Sequence, residues 1–219
     1  MAGMIGTKTD NKNIGLVKNI WRLRQELDID CLISANAEAI HKLGAGSSFF
    51  GFVQMMCQQT IVLSMCKLFE PEAKYELDSI PGVLRSLAEQ NPTVLDPGSI
   101  NTFVQKYGSG SVGDGTLKAL LGAFNDFKAR YQNELDRFKT LRDKWVAHGE
   151  SGFGLQQNDG PSYDAMERLC NFAIEFYSVV SRAFISTGPA NLNGDRRVRA
   201  GLKHILKEHG VQNVKTDLQ

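Results

Sequence analysis

Hydrophobic residues recur three and four positions apart over most of this 219-residue chain, and segments containing glycine and proline separate the periodic stretches. That spacing is typical of α-helices with one apolar face. No segment alternates apolar and polar residues between hairpin turns, as β-strands do. The pattern predicts an all-α fold, a helical bundle. Its helices are expected over about residues 14–27, 31–43, 49–69, 81–88, 99–107, 116–147, 163–185 and 196–209.

Two of these predicted helices carry further expectations. The first two segments form either one long helix or two helices joined near Asp28–Asp30. The helix over residues 49–69 is apolar nearly all round, which is typical of a central, buried helix. Ser47 or Ser48 is expected to cap it, because a serine oxygen can accept a hydrogen bond from a free backbone amide. Glutamines at positions 58–59 interrupt the apolar run, so we expect no membrane-spanning segment.

Composition narrows the class of protein without identifying a function. The chain has 42% hydrophobic and 22% charged residues, as an ordinary globular domain does. Its formal net charge of +1 gives no overall attraction to nucleic acid or membranes. The four cysteines form no C-x-x-C pair, and we interpret them as buried free thiols in a reducing compartment. With no signal-like N-terminus, we expect a cytoplasmic protein that does not bind membranes.

One polar cluster near the end of the predicted helix 116–147 has the residue types of a chemical site: Arg142, Asp143 and His148. On a wheel of 100° per residue, Arg142 lies about 20° from the centre of the apolar stripe, where an unpaired guanidinium is costly. His148 lies roughly 120° around from Arg142 and about 9 Å further along. The two side chains would converge only if the chain turns at Gly149, or across a two-fold axis between two copies.

These residue types suit RNA cleavage without a metal ion. Histidine transfers protons near neutral pH, and arginine binds phosphate and stabilises charge on a transferring phosphoryl group. Asp143 can orient the arginine or hold the histidine in one tautomer. The structural alternative is an interior Arg142–Asp143 pair with His148 interacting with the C-terminal dipole of the helix.

The run Leu141-Arg142-Asp143-Lys144-Trp145-Val146-Ala147-His148 resembles the signature of the HEPN superfamily, in particular its abortive-infection AbiU-like branch. That signature is an arginine, usually a polar residue next, and a histidine after four to six intervening residues near the end of a long helix. Five residues intervene here. The segments Ser64-Met65-Cys66-Lys67-Leu68-Phe69-Glu70 and Ser79-Ile80-Pro81 also resemble that branch. The resemblance covers roughly residues 14–185.

The resemblance implies a HEPN-like bundle that forms homodimers through the motif helices, with a cleft at the interface. Many members are endoribonucleases that need no metal or cofactor and act as toxins or antiviral effectors. It implies that Arg142 polarises the scissile phosphate, that His148 transfers a proton or positions the phosphate, and that Asp143 orients the pair. RNA is then the substrate, and an antitoxin or another defence-system protein is a further partner. Other members are non-catalytic nucleotide-binding or protein-interaction modules, and this alternative stays open.

One departure concerns regulation. Some toxins of the family carry a tyrosine shortly after the histidine, which a partner nucleotidyltransferase modifies. Here Gly149-Glu150-Ser151 follows, so we expect no regulation of that kind.

Other patterns carry weaker expectations. The run from Gly108 to Gly113 matches G-x-G-x-x-G, but no strand precedes it, and we interpret it as a linker. Glu38 and His41 form one E-x-x-H step, whereas di-iron bundles need two, so a surface pair is expected. The basic helix 196–209 is a solvated face or, in a nuclease, a surface for the RNA backbone. We expect three parts: a flexible N-terminus (1–13), the HEPN-like domain (14–186), and a loop with the basic helix (187–219).

Overall fold

The computed structural model describes residues 7–71, 78–108, 115–149, 154–155, 160–185, 197–211 and 213–216. Over these residues the chain forms helices and no strand, which confirms the predicted all-α class. The α-helices are α1 (Thr7–Ala35), α2 (Ala37–His41), α3 (Ala45–Phe69), α4 (Ile80–Gln90), α5 (Pro97–Tyr107), α6 (Leu117–Arg130), α7 (Gln132–Leu141), α8 (Tyr163–Val180) and α9 (Arg197–Glu208). Two short π-helical turns, Arg142–Val146 and Ser181–Ile185, follow α7 and α8.

Side-chain caps fix the starts of four helices. The side chains of the cap residues each accept a hydrogen bond from the backbone N–H three positions on, at 3.1 to 3.3 Å. These caps satisfy amides that have no partner inside the helix. They precede α4, α5, α6 and α8, and are Ser79, Asp96, Thr116 and Ser162.

Helix α1 is longer than the hydrophobic pattern predicts. Residues 7–13, which we expected to be flexible, form its first turns, and the buried Asn13 Nδ2 donates to Ser181 Oγ at 3.2 Å. Residues 1–6 of the expected flexible segment lie outside the described residues. The acidic segment 28–30 lies inside the helix, so the one-helix interpretation holds there. Neighbouring helices supply partners for its carboxylates: Arg199 for Asp28 and Gln58 for Asp30.

Helix α3 begins earlier than predicted. Its first residue is Ala45, and Gly44 precedes it with a φ of 59° that favours glycine. Ser47 and Ser48 therefore lie inside the helix, and the expectation that either one caps it is wrong. Helix α3 runs antiparallel to α1, since Gln58 bonds Asp30 while the later residue Lys67 bonds the earlier Asn19.

One face of α3 is exposed, so the expectation of a helix buried on all sides is wrong. Five large apolar residues are 41–62% exposed, namely Phe49, Phe52, Met55, Met56 and Leu63. The segment Gly46–Phe69 is long and apolar enough to cross a membrane, although buried core helices of other proteins meet the same criteria. In this structure 44% of its most apolar window is buried. The glutamines at 58–59 therefore do not make the segment too polar to span a membrane.

The main core is aromatic and surrounds Phe172 of α8. Its ring stacks on Phe127 of α6, with centroids 3.8 Å apart and planes within 7°. Phe69, at the end of α3, approaches both rings, at 6.2 and 6.5 Å between centroids. Such contacts contribute roughly 0.5–1.5 kcal/mol each beyond burial. They fix the end of α3 against the helix that leads into the arginine–histidine run.

A second, smaller apolar cluster closes the opposite end of α1 and α3. It unites α1, α2, α3 and α9, and its buried members are Leu32, Ile33, Ile40, Phe50, Leu206 and Val211. The predicted basic terminal helix is thus packed on the bundle. Its Arg199 is buried and donates to Asp28 at 3.2 Å.

The long helix predicted over residues 116–147 has the expected extent but two irregularities. Tyr131 separates α6 from α7, with φ −108° and ψ 21°. Backbone bonds from Tyr131 to Phe127 and from Leu135 to Tyr131 continue the axis across this residue. The last turn, from Arg142 to Val146, is π-helical. Most of the expected loops, at 109–114, 150–153, 156–159 and 186–195, lie outside the described residues.

Candidate functional site

Buried anchors on two helices place the site. On α7, Phe138 and Leu141 are 0% and 3% exposed, and Leu141 directly precedes Arg142. On α3, Phe69 is 2% exposed and directly precedes Glu70. Because both anchors lie in the main core, the two charged residues that follow them meet at its edge.

Arg142 is enclosed by two carboxylates. Its Nη1 donates to both oxygens of Glu70, at 2.6 and 2.5 Å, and its Nε donates to Asp143 Oδ1 at 2.8 Å. Within the part of the chain that the structure describes, Nη2 donates no hydrogen bond. The Arg142 side chain is 31% exposed, so its guanidinium lies at the edge of the apolar stripe and remains open to solvent.

The π turn changes the position of His148 from that on a straight helix. The Ala147 N–H donates to the Arg142 carbonyl at 2.9 Å, a step of five residues instead of four. Because the turn accommodates one extra residue, it rotates the residues that follow it to other angles than an α-helix would. His148 lies just after the turn, where its charge lowers the pKa of Asp143, the residue that holds Arg142. No hydrogen bond joins His148 to either residue.

The charges of the cluster act on one another. The hydrogen bond from Arg142 lowers the pKa of Asp143, and the charges of Arg142, His148 and Lys139 lower it further. The pKa of Arg142 is raised above its ordinary value, mainly by the hydrogen bond to Asp143 and to a smaller extent by the one to Glu70. Asp143 therefore stays ionised and links the arginine electrostatically to the histidine.

A buried thiol and a narrow hollow adjoin the pair. Burial, and then the charge of Glu70, raises the pKa of Cys66 to about 12, so this thiol is not a nucleophile at neutral pH. The hollow beside Glu70 has a volume of about 20 Å³, enough for a single water molecule, whereas ligand pockets measure roughly 300–1,000 Å³. This hollow cannot enclose a nucleotide.

Glu70 is the residue whose role the sequence did not predict. It belongs to one of the segments that resemble the family, but it lies 72 positions from Arg142. The feature of the sequence that could have drawn attention to Glu70 is its position directly after a long helix in which Lys67 is the only charged residue. The contact with Arg142 depends on how α3 and α7 pack, which helix periodicity does not specify.

Other predicted candidates lie elsewhere. Glu38 and His41 are exposed, and Glu38 pairs with Lys42 at 3.2 Å. Among the described residues no group of three or more His, Cys, Asp or Glu side chains could hold a metal ion. All four cysteines are buried and free, as expected. The G-x-G-x-x-G run lies almost wholly outside the described residues.

The basic helix is not adjacent to the site. Arg199 of α9 bonds Asp28, whereas the site lies near the end of α3 at which Lys67 bonds Asn19. At 1.5 Å per residue, Asn19 and Asp28 are about 14 Å apart along α1. A cavity of about 450 Å³ between α5 and α8, which Lys106 and Arg182 border, also contains none of the predicted site residues.

An all-α bundle whose long helix ends in an arginine, a polar residue and a histidine is the arrangement that defines HEPN domains. The model of a HEPN family described as AbiU2 matches residues 18–200. The chain therefore belongs to the AbiU2 family, which confirms the resemblance seen in the sequence. No curated protein and no solved structure matches the chain.

Proposed function

We propose that this protein is a metal-independent endoribonuclease that acts as a homodimer, in a defence or toxin-type role. The observation that carries the proposal is the arrangement of Arg142, Asp143 and His148 around one π turn. Asp143 bonds the guanidinium at 2.8 Å, and the charge of His148 acts on the same carboxylate. A phosphate-binding cation and a proton-transfer group that both interact with one carboxylate support the proposal.

The reaction that suits these groups is an internal transesterification of RNA. The 2′-oxygen attacks the adjacent phosphorus and forms a 2′-O–P bond, while the P–O5′ bond breaks. The 2′-hydroxyl loses its proton and the 5′-oxygen gains one, and His148 serves one of these two transfers. Arg142, whose side chain is 31% exposed, stabilises the charge on the phosphoryl oxygens. The products are a 2′,3′-cyclic phosphate and a 5′-hydroxyl end.

A second chain supplies what one chain lacks in this proposal. The hollow beside Glu70 is too small to enclose RNA, and the hydrogen bonds of Arg142 among the described residues go to Glu70 and Asp143, not to His148. Two copies that face each other at this edge would form a cleft with two arginines and two histidines. An enzyme of this type would need restraint in its own cell, so we also propose control by a neutralising or activating partner protein.

A second candidate function is a non-catalytic module of the same fold, which binds nucleotides or another protein. Two carboxylates around one guanidinium favour it, because Arg142 then acts as a structural residue that joins α3 to the motif helix. On this alternative Arg142→Ala lowers stability, while the wild-type protein cleaves no RNA.

The direct test is RNA cleavage by the purified protein in the presence of a chelator. We expect cyclic phosphate ends, and rates at least about 100-fold lower in Arg142→Ala and in His148→Ala, since each variant loses one of the two chemical groups. Asp143→Asn should also reduce the rate. Matched controls are Arg137→Ala, an exposed arginine of α7, and His204→Ala, an exposed histidine of α9.

Each variant must retain its helical circular dichroism for the comparison to count. Cleavage that disappears with the chelator, or that survives both substitutions, would contradict the proposal. A folded dimer with no activity on any RNA, even with its neighbouring gene products added, would favour the non-catalytic module.

A further inference from the structure

The exposed face of α3 has the spacing of a coiled-coil seam. Phe49, Phe52, Met56, Gln59 and Leu63 follow one another at intervals of three, four, three and four positions. Such residues form one continuous line along a helix, suited to knobs-into-holes packing against a second helix. We call these five residues the α3 stripe.

The four apolar residues of the stripe and the neighbouring Met55 leave a large apolar surface in contact with water. Phe49 and Phe52 are 62% and 58% exposed, and Met55, Met56 and Leu63 are 41–46% exposed. At about 200 Å² per large side chain, these residues leave on the order of 500 Å² of apolar surface uncovered. That is at the upper end of patches on monomeric proteins, and more than half of the ~800 Å² that each partner contributes to a stable interface.

The charge pattern favours a second copy of the chain as the occupant. From Ala45 to Cys66, α3 contains no charged residue. A two-fold interface brings a surface against its own copy, so charges on that surface would face like charges and repel. The stripe has no charged residue, so two copies can meet there without such repulsion. A helix that lies on a lipid surface is usually rich in lysine and arginine, whereas Lys67 is the only charged residue of α3.

The stripe also leads to the candidate site. Glu70, which holds Arg142, lies seven positions after Leu63 and so continues the same line. If two copies of α3 paired in parallel, both Arg142–Glu70 pairs would lie at the same end of the dimer. If they paired antiparallel about Met56, each Glu70 would lie about 21 Å from the axis, at opposite ends.

We propose that the α3 stripe is the surface on which a second copy of this chain docks, α3 beside α3 in parallel. The pairing brings the two Arg142–His148 sites to one end, where they border a common cleft. That cleft rests on the proposed function, whereas the interface stands on the exposure, spacing and charge of α3. It differs from the pairing through the motif helices that the family resemblance implies, because α3 forms the contact and the motif helices only flank it.

The test uses paired charge substitutions in the full chain. Met56 faces Met56 of the partner in either direction of pairing, so Met56→Glu should give a monomer in sedimentation velocity. Phe49 faces Phe49 only in a parallel pairing and faces Leu63 in an antiparallel one. Phe49→Glu and Phe49→Lys should each give monomers, and a mixture of these two variants should recover a heterodimer. Leu121→Glu, at an apolar residue of α6 that is 43% exposed, is the matched control and should leave the wild-type dimer intact.

The outcomes separate the interface from the chemistry. A monomeric wild-type protein, a dimer that persists in Met56→Glu, or two monomeric variants that do not pair when mixed would each overturn the proposed interface. Wild-type binding to phosphatidylglycerol vesicles that Met56→Glu abolishes would overturn it in favour of a membrane. A dimer that pairs as expected but cuts no RNA would overturn the nuclease and leave the interface standing. A monomer that cuts RNA would overturn the interface and leave the nuclease activity standing.

Discussion

Glu70 sets the charge that an incoming phosphate would meet at Arg142. One guanidinium is bonded to two carboxylates, Glu70 and Asp143, so these three groups carry a net negative charge. Under the proposed function, an RNA phosphate would then compete with Glu70 for the cation. The same contact keeps the guanidinium at the edge of the core, so Glu70 both positions Arg142 and limits its access.

Neutralising Glu70 should strengthen RNA binding. In Glu70→Gln the amide oxygen can still accept from Arg142, but the competing charge is gone. We expect the Kd for a 2′-O-methyl RNA, which cannot be cleaved, to fall about fivefold at low salt, or ~1 kcal/mol for a partly exposed charge. Fluorescence anisotropy measures it.

The control for Glu70→Gln is Glu38→Gln, at an exposed glutamate of α2 near the other end of α3. It should leave the Kd unchanged. Unchanged or weaker RNA binding in Glu70→Gln would show that Glu70 only positions Arg142.

At the residue scale, the sequence predicted contacts within one helix better than contacts between helices. The pairing of Arg142 with Asp143 followed from their residue types and adjacent positions. The contact with Glu70 did not, because it joins two helices. The rotation of His148 also did not, because a wheel assumes α-helical geometry throughout and the last turn is π-helical.

At the scale of elements, α1 and α3 pack around a buried acidic pair. Glu26 Oε1 accepts from Arg22 at 2.8 Å, while the buried Oε2 has no hydrogen-bond partner among the described residues. Burial raises the pKa of Glu26 from its ordinary 4.5 to about 7. Burial also raises the pKa of Asp30. The folded chain therefore binds protons at these carboxyls more tightly than the unfolded chain does.

Stability should fall as the pH rises through this range. The contribution of Glu26 is fully present below about pH 4.5 and is lost as the pH rises through about 7, because ionisation then favours the unfolded chain. In Glu26→Gln that part of the pH dependence should disappear. At pH 8 we expect the variant to exceed the wild type by on the order of 2 kcal/mol in the free energy of unfolding.

Urea unfolding at several pH values from about 5 to 8 measures this difference. Glu38→Gln, whose glutamate side chain is 89% exposed, should keep the wild-type profile. If Glu26→Gln has the same pH dependence as the wild type, then Glu26 is ionised in the folded chain and its burial has no effect on stability.

Helix α3 shows why burial was harder to predict than helix type. A helix that is apolar all round is typical of a central position. The same pattern is also expected for a helix that packs on its own bundle with one face and on a second chain with the other. The chain sequence does not distinguish a neighbour in the same protomer from one in another copy. The start of α3 at Ala45 was also not predicted. The serines at 47–48 are favourable cap residues, whereas glycine is found less often at that position.

For the whole molecule, α9 is part of the fold. Leu206 is fully buried in the cluster that closes the far end of α1 and α3, and Arg199 is buried against Asp28. The row of basic residues favoured a solvated face, and most of α9 is indeed exposed. Leu202 and Leu206, which lie among the basic residues, belong to the apolar cluster and explain why the other face packs on the bundle.

The role of α9 can be measured with two adjacent residues. Leu206→Ala should lower the free energy of unfolding by about 2–4 kcal/mol, because it leaves a cavity in a closed cluster. Ile205→Ala removes an apolar side chain that is 45% exposed and should cost less than about 1 kcal/mol. Both variants should cleave RNA at the wild-type rate below their melting temperatures, since α9 is remote from Arg142.

Equal destabilisation by Leu206→Ala and Ile205→Ala would contradict the packing of α9. A loss of cleavage in a folded Leu206→Ala variant would show that the two ends of the bundle are coupled.

The π turn after α7 bears on how far apart the two motif residues can lie along a sequence. In an uninterrupted α-helix, an arginine and a histidine with five residues between them are rotated by about 240°, which is a separation of about 120° measured the other way round. A π turn takes up one extra residue, so Arg142 and His148 have the rotation of five α-helical steps, about 140°. An arginine and a histidine with only four residues between them reach that same angle with no π turn. Relatives that differ by one residue in this spacing can therefore present the same pair in the same direction.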